Sequence, residues 1–236
     1  MTEAENRRIM VVMAHADDAE FSSAGTVAKW VREGFEVIYV LCTNGDKGSS
    51  DPEMTSERLA VIRQEEQRNA AAVLGVSEVV FLGHPDGGLE DTPAFRGEVV
   101  RLIRKYRPFR VVTMDPLRWF RRYIHHRDHR VCGVVTLDAV FPYARDRLHY
   151  PEHLAEGLTP HIVHEVYLSG SEDADTWIDI SDTFELKLKA LHCHVSQVGK
   201  RPPEEFETRV REMAATTGAA AKLPLAEAFR KIELRF

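Results

Sequence analysis

Residues 9–20, IMVVMAHADDAE, decide the predicted fold class of this chain. Their first half is an unbroken apolar run of strand length, which is typical of a strand buried on both faces of a parallel sheet. Their second half carries one histidine and three acidic residues, where a dinucleotide-binding domain would carry the glycine pattern G-x-G-x-x-G. Because acidic groups at that turn would repel a pyrophosphate, the stretch disfavours a nicotinamide or flavin enzyme.

The sequence on the C-terminal side of this stretch alternates between strand and helix patterns up to residue 140. Further strands are predicted at 35–42, 78–82 and 109–114, and helices at 25–32, 56–74, 95–106 and 131–140. Alternation with short connections predicts right-handed crossovers and helices on both faces of the sheet. We therefore predict an α/β fold, a Rossmann-like three-layer sandwich with a mostly parallel sheet and a C-terminal elaboration.

The pattern becomes less regular after residue 140. Strands are predicted at 163–168 and 177–180, and helices at 182–194 and 204–215. We expect residues 1–236 to form a single domain, with 1–140 as the Rossmann-like core. Residues 141–236 would be an elaboration that supplies a lid or an oligomer interface.

Composition excludes several classes of protein. Apolar residues make up 44% of the chain and charged residues 29%, which excludes a disordered chain, a collagenous fibre and a small disulfide scaffold. The net charge of −6 gives no global attraction to nucleic acid or to anionic lipid. No apolar run approaches the roughly 18 residues that span a bilayer, and no apolar leader follows the start. With three scattered cysteines, we expect a cytoplasmic protein that binds neither nucleic acid nor membrane.

Imidazole and carboxylate groups follow two of the predicted strands. His15, Asp17 and Asp18 come directly after the first strand, and His126 and His129 lie three residues apart at a helix start after strand 109–114. Ligands of open α/β sheets bind beyond the carboxyl ends of the strands, so both groups are expected at one point. Histidine and aspartate are ligands suited to Zn²⁺, and three protein ligands with an open position make a catalytic site.

Simpler interpretations exist for most of these residues. The first group is also compatible with a solvated turn that caps a helix, and the second with a helix cap in a charged loop. We interpret His125 as a loop residue and Glu20 as a charge favoured by a helix dipole. For Asp86, a role in turn geometry is at least as well supported as a substrate contact. The run 118–123, RWFRRY, mixes cations with aromatic rings, and we expect a substrate-contacting or interface loop there.

Seven short segments resemble, in order, the motifs of the PIG-L/LmbE family of zinc-dependent N-deacetylases. Two of them depart from the family pattern, because Ala16 and Arg127 stand where it has proline. The segments are 14–20 AHADDAE, 43–48 TNGDKG, 63–66 RQEE, 82–89 LGHPDGGL, 126–129 HRDH, 189–197 KALHCHVSQ and 226–229 AEAF. Each is weak alone, but the order of all of them is specific, and they cover nearly the whole chain.

The resemblance implies a metal site and a base. His15, Asp18 and His129 would be the metal ligands, with one Zn²⁺ per chain and other divalent transition metals as alternatives. Asp17 would be the general base. Two consecutive aspartates suit this chemistry, because one side chain can bind the metal while the other takes a proton from its water.

The resemblance also implies roles for the surrounding residues. His126 would face the developing oxyanion as a protonated imidazole, and Asp128 would orient an imidazole, that of His126 being favoured. Arg63 and His194 would bind substrate. A second substrate-binding arginine would fall at Arg145, with 147 as the alternative position.

The function implied is a zinc-dependent hydrolase that removes the N-acetyl group from an N-acetylglucosamine-type small molecule. Members of the family often form trimers or hexamers, so a homo-oligomer is expected. One alternative is a zinc amidase that acts on a thiol conjugate or an antibiotic-type amide. Another is a non-catalytic, metal-binding Rossmann-like module, although a structural zinc would be closed by four protein ligands.

Overall fold

The computed structural model describes residues 6–119, 124–199 and 202–235. Within these ranges the strands are β1 (Arg8–Met13), β2 (Glu36–Thr43), β3 (Glu78–His84), β4 (Arg110–Met114), β5 (Glu165–Ser169), β6 (Thr176–Asp179) and β7 (Ala226–Glu233). The helices are α1 (Asp18–Ser22), α2 (Ala24–Arg32), α3 (Ser56–Leu74), α4 (Pro93–Tyr106), α5 (Arg127–Asp138), α6 (Glu152–Ala155), α7 (Phe184–His192), α8 (Val195–Val198) and α9 (Pro203–Ala219). No helix in these ranges is long and apolar enough to cross a membrane.

The strands form one mixed sheet in the order β3-β2-β1-β4-β5-β7-β6. The first five strands in this order are parallel, and β7 runs antiparallel between β5 and β6. Helices α2, α3 and α7 contact one another, while α4 contacts α5 in a separate group. The prediction of an α/β sandwich with a mostly parallel sheet is confirmed.

The centre of the sheet contains its topological switch point. From β1 the chain moves to β2 on one side, and it later returns to place β4 on the other side. Val11 of β1 is in register with Tyr39 and Val112, so all three strands are closely paired. The segments that follow β1 and β4 therefore open into one crevice, which is where ligands bind in such sheets.

The structure differs from the sequence prediction in several elements. Strand β7 was not predicted, because its sequence AEAFRKIE contains neither a long apolar run nor a strict alternation of apolar and charged residues. Helix α5 begins at Arg127 instead of 131, since the Nδ1 atom of His126 caps it by accepting the Asp128 N–H. The first predicted helix is preceded by the short α1, and Ser23 separates the two helices.

A buried ion pair joins the C-terminal part of the chain to the start of α2. The ammonium of Lys187 lies 2.6 Å from a carboxylate oxygen of Glu227, and these side chains are only 5% and 4% exposed. Glu227 also accepts the N–H groups of Gly25 (3.1 Å) and Thr26 (2.8 Å) in the first turn of α2. A carboxylate at that position is favoured by the helix dipole. The pair therefore ties α7 and β7 to α2.

Removing the carboxylate of this pair will cost more stability than removing the ammonium. We expect Glu227→Leu to lower the free energy of unfolding by about 3–5 kcal/mol, because it leaves Lys187 with only the carbonyl of Phe21, at 2.7 Å. Lys187→Met will cost less, since Glu227 keeps its two backbone donors. Urea unfolding of both variants measures the difference.

The matched control is the exposed ion pair between Glu185 and Arg211, whose atoms are 2.8 Å apart. Glu185→Leu should change the free energy of unfolding by less than about 1 kcal/mol. If Lys187→Met proves more destabilising than Glu227→Leu, the capping role of the carboxylate is wrong.

Candidate active site

The site begins at the end of β1, where the chain turns into α1. Asp17 is the N-cap of α1 and has φ 88° and ψ −23°, in the left-handed region that few residues other than glycine adopt. The turn lets the His15 N–H donate to the Asp18 carboxylate at 2.8 Å. It also presents Asp17 and Asp18 in different directions, so each carboxylate has its own contacts.

Three donor groups from the two segments meet at the switch point. The Nδ1 atom of His15 lies 3.1 Å from His129 Nε2 and 3.3 Å from an Asp18 oxygen. The other Asp18 oxygen lies 3.2 Å from His129 Nε2. Ligands about 2.0–2.1 Å from a tetrahedral zinc are separated by roughly 3.3 Å, so this donor set fits one such ion.

A second layer of carboxylates surrounds His15. Its Nε2 atom lies 3.1 Å from Asp86 Oδ1 and 3.3 Å from Asp128 Oδ2, so a hydrogen on Nε2 would leave Nδ1 available to a cation. Burial alone would lower the pKa of His15, but hydrogen bonds with Asp128, Asp18 and Asp86 raise it to about 12. This concentration of negative charge favours a cation at the site.

The carboxylate of Asp128 holds the site together. It is fully buried and accepts the N–H groups of Gly87 (2.6 Å) and Leu89 (3.2 Å). These bonds fix the turn that carries Asp86. The expectation that Asp128 orients His126 is corrected, because its carboxylate contacts His15, while only its N–H reaches the ring of His126.

His126 is exposed beside the triangle formed by His15, Asp18 and His129. Its ring centroid lies 4.8 Å from that of His15. Since Nδ1 accepts the Asp128 N–H at 3.2 Å, the hydrogen of the neutral ring sits on Nε2. Burial and the neighbouring His15 and His129 lower the pKa of His126, and the acceptor role of Nδ1 favours a neutral ring over the protonated imidazole that was expected.

Asp17 is paired with Arg63 on α3. The guanidinium lies 3.4 Å from the Asp17 carboxylate and donates to the carbonyls of Ala16 (2.5 Å) and Gly45 (3.1 Å). Gly45 has φ 61°, and a Cβ atom there would lie 2.7 Å from the guanidinium. Burial raises the pKa of Asp17 to about 7, although Arg63 lowers it. Arg63, which was predicted to bind substrate, therefore contacts Asp17, the predicted general base.

The other two predicted substrate-binding residues contact groups outside the triangle of His15, Asp18 and His129. His194 is fully buried, and its Nε2 atom lies 3.1 Å from a Glu20 oxygen. The expectation that His194 lines the substrate pocket is therefore wrong, because no part of its side chain is exposed. Arg145 lies after α5, where its guanidinium pairs with Asp146 at 2.8 Å and covers the ring of Phe141.

Several residues interpreted as unremarkable in the sequence are part of the site. His125 is buried, with Nε2 3.1 Å from His129 Nδ1, and Asp86 contacts His15. Glu20 lies in the first turn of α1, where the helix dipole favours its charge as expected, and the structure adds that it is fully buried in a hydrogen-bond network. Residues 120–123 of the predicted substrate-contacting run lie outside the described residues.

Imidazole and carboxylate donors at the switch point of a mostly parallel sheet make this a candidate metal centre in an α/β enzyme. The chain belongs to the PIG-L family: the family model described as GlcNAc-PI de-N-acetylase matches residues 10–140. The predictions of this family and of an N-deacetylase of the hydrolase class are confirmed.

Relatives extend the similarity over most of the chain. Diacetylchitobiose deacetylase of Thermococcus kodakarensis is 33% identical over 224 residues, covering 95% of this chain and 82% of that protein. The solved structure of N,N'-diacetylchitobiose deacetylase from Pyrococcus horikoshii matches with a TM-score of 0.90 at 29% identity, covering 98% of this chain and 85% of the other. Mycothiol S-conjugate amidase of Streptomyces coelicolor is 34% identical over 227 residues, covering 80% of this chain and 75% of that protein.

Proposed function

We propose that the chain is a zinc-dependent N-deacetylase that releases acetate from a soluble N-acetylglucosamine-containing saccharide such as N,N'-diacetylchitobiose. The observation that carries the proposal is the triangle of His15, Asp18 and His129, whose donor atoms are 3.1–3.3 Å apart beside the carboxylate of Asp17. The relatives named for diacetylchitobiose support this substrate class.

The residues present divide the work of amide hydrolysis. A zinc ion held by the triangle would supply Lewis acidity toward the acetyl carbonyl and toward the attacking water. Asp17 takes a proton from that water and delivers it to the amide nitrogen as the C–N bond breaks. Acetate and a primary amine leave, so the reaction balances without a further reactant.

His126 supplies a neutral hydrogen-bond donor for the developing oxyanion. Its Nδ1 atom is occupied by the Asp128 N–H, which leaves Nε2–H free to donate to the carbonyl oxygen. One well-placed donor of this kind is worth about 3–4 kcal/mol of transition-state stabilisation. Arg63 keeps the Asp17 carboxylate in position and holds it near the reacting water.

The cellular setting follows from the same proposal. Cys42, Cys132 and Cys193 are free thiols, which supports a reducing cytoplasm. The partner is a small N-acetylated amino sugar, with no nucleic acid or membrane required. A homo-oligomer, trimer or hexamer, and a lid or interface role for residues 141–236 stay predictions.

A substrate comparison tests the proposal. We expect zinc-loaded chain to release acetate and primary amine in equal amounts from N,N'-diacetylchitobiose or from N-acetylglucosamine linked to inositol. The similarity to a mycothiol S-conjugate amidase makes the amide of a mycothiol S-conjugate the informative competitor. Cleavage of that amide alone, with every N-acetyl sugar left intact, would replace the deacetylase by the amidase.

A further inference from the structure

Asp17 is held in a conformation that its own residue type does not favour. Its φ of 88° lies in the left-handed region, which aspartate and asparagine adopt more often than other side chains do, but still at a cost in backbone strain. Such a residue keeps this conformation only if its surroundings hold it. Since a small rotation of the peptide would redirect the carboxylate, whatever holds the backbone also determines where the base points.

Gln67 of α3 holds this backbone. Its side chain is fully buried, and its Oε1 atom accepts the Asp17 N–H at 3.1 Å. It lies four residues after Arg63 on α3, so both side chains leave the same face of the helix. Arg63 contacts the carboxylate of Asp17 and Gln67 contacts its peptide, so one helix face positions both parts of the residue.

A carboxylate on the far side sets the orientation of the Gln67 amide. The Nε2 atom of Gln67 donates to Glu20 Oε1 at 3.0 Å, and the other Glu20 oxygen lies 3.1 Å from His194 Nε2. The Glu20 oxygen accepts this hydrogen bond, so the NH₂ end of the amide is turned toward the carboxylate. The carbonyl oxygen is thereby directed at the Asp17 N–H.

We propose that Gln67 is the positioning residue for the general base, and that Glu20 and His194 fix its amide in the orientation that Asp17 requires. The inference rests on the proposed function, in which Asp17 takes the proton from water. Gln67 touches neither substrate nor metal ligand in this scheme. Its contribution reaches the reaction through the geometry of Asp17 alone.

The test compares two Gln→Met variants on helix α3, in which methionine keeps the approximate volume of the glutamine it replaces. We expect Gln67→Met to lower kcat about 10–100-fold, because misplacement of a reacting group by about 1 Å costs on this order. KM and bound zinc should change little, whereas the thermal unfolding midpoint should fall, because the Asp17 N–H and a Glu20 oxygen lose a buried hydrogen-bond partner. The matched control is Gln64→Met, at a half-buried glutamine of the same helix, which should leave kcat unchanged.

A double-variant cycle separates positioning from a general structural effect. In an Asp17→Asn background, Gln67→Met should lower the residual kcat no further, because the base it positions is already absent. Glu20→Gln is a second probe, expected to lower kcat severalfold in the wild-type background and not in the Asp17→Asn background.

The outcomes separate a failure of the positioning role of Gln67 from a failure of the proposed function. If Gln67→Met lowers kcat equally in both backgrounds, or removes zinc, the positioning role is overturned while the proposed function stands. If Asp17→Asn itself retains full turnover, the base assignment in the proposed function fails.

Discussion

Replacement of Asp17 by asparagine will leave the chain folded and loaded with metal but will lower kcat by about 10²–10⁴-fold, the range that general base catalysis contributes. Asparagine has the same shape as aspartate and tolerates the left-handed conformation found here, with φ 88°. Its amide cannot take a proton from water. Turnover of N,N'-diacetylchitobiose and the zinc content of the same sample measure the two effects.

The control for this substitution is Asp51→Asn, at an exposed aspartate that caps a local turn through the N–H of Glu53. It removes the same charge without touching the site, so kcat should equal that of the wild type. Undiminished turnover by Asp17→Asn would require another group to act as base.

Replacement of His129 by alanine will remove the metal. His129 Nε2 lies within 3.2 Å of both His15 Nδ1 and Asp18 Oδ1, so the substitution removes one of the three donor groups. Loss of an outer partner of a metal ligand costs about 10–100-fold in affinity, and loss of a ligand should cost more. We expect bound zinc to fall from one per chain to near none after dialysis, with turnover falling in parallel.

His84→Ala is the matched histidine control. His84 lies at the end of β3, paired with Glu98 at 2.7 Å. Zinc content and turnover should both be unaffected. Retention of one zinc per chain by His129→Ala would mean that other donors hold the ion. The described residues offer one such set in His15, Asp86 and Asp128.

The sequence predicted the parts of the fold that rest on local pattern. The apolar run of β1 identifies a strand buried on both faces, and the donors after it must then lie at the carboxyl end of the sheet. Strand β7 escaped prediction because antiparallel pairing with β5 and β6, and not its own sequence, makes it a strand. Such pairing is tertiary information.

The distinction between local sequence pattern and tertiary contact also applies to the site. His15, Asp18 and His129 come together as the motif order suggested, since each follows directly from a strand or a helix cap. The partner of Asp128 could not be read from its neighbours in sequence. His15 is 113 residues away along the chain, but the sheet brings the two side chains to 3.3 Å.

No sequence pattern predicted that Glu20, Gln67 and His194 would contact one another in a buried network. Its members come from α1, α3 and the junction between α7 and α8, and polar residues in such segments are usually solvated. A glutamate near a helix start has an adequate explanation in the helix dipole, so nothing in the pattern required burial.

The most direct test of the account is a titration of zinc into chelated wild-type chain, with release of primary amine from N,N'-diacetylchitobiose followed at each point. We predict that turnover is absent without metal and rises in proportion to bound zinc up to one ion per chain. Full turnover by chain from which all metal has been removed would contradict the account.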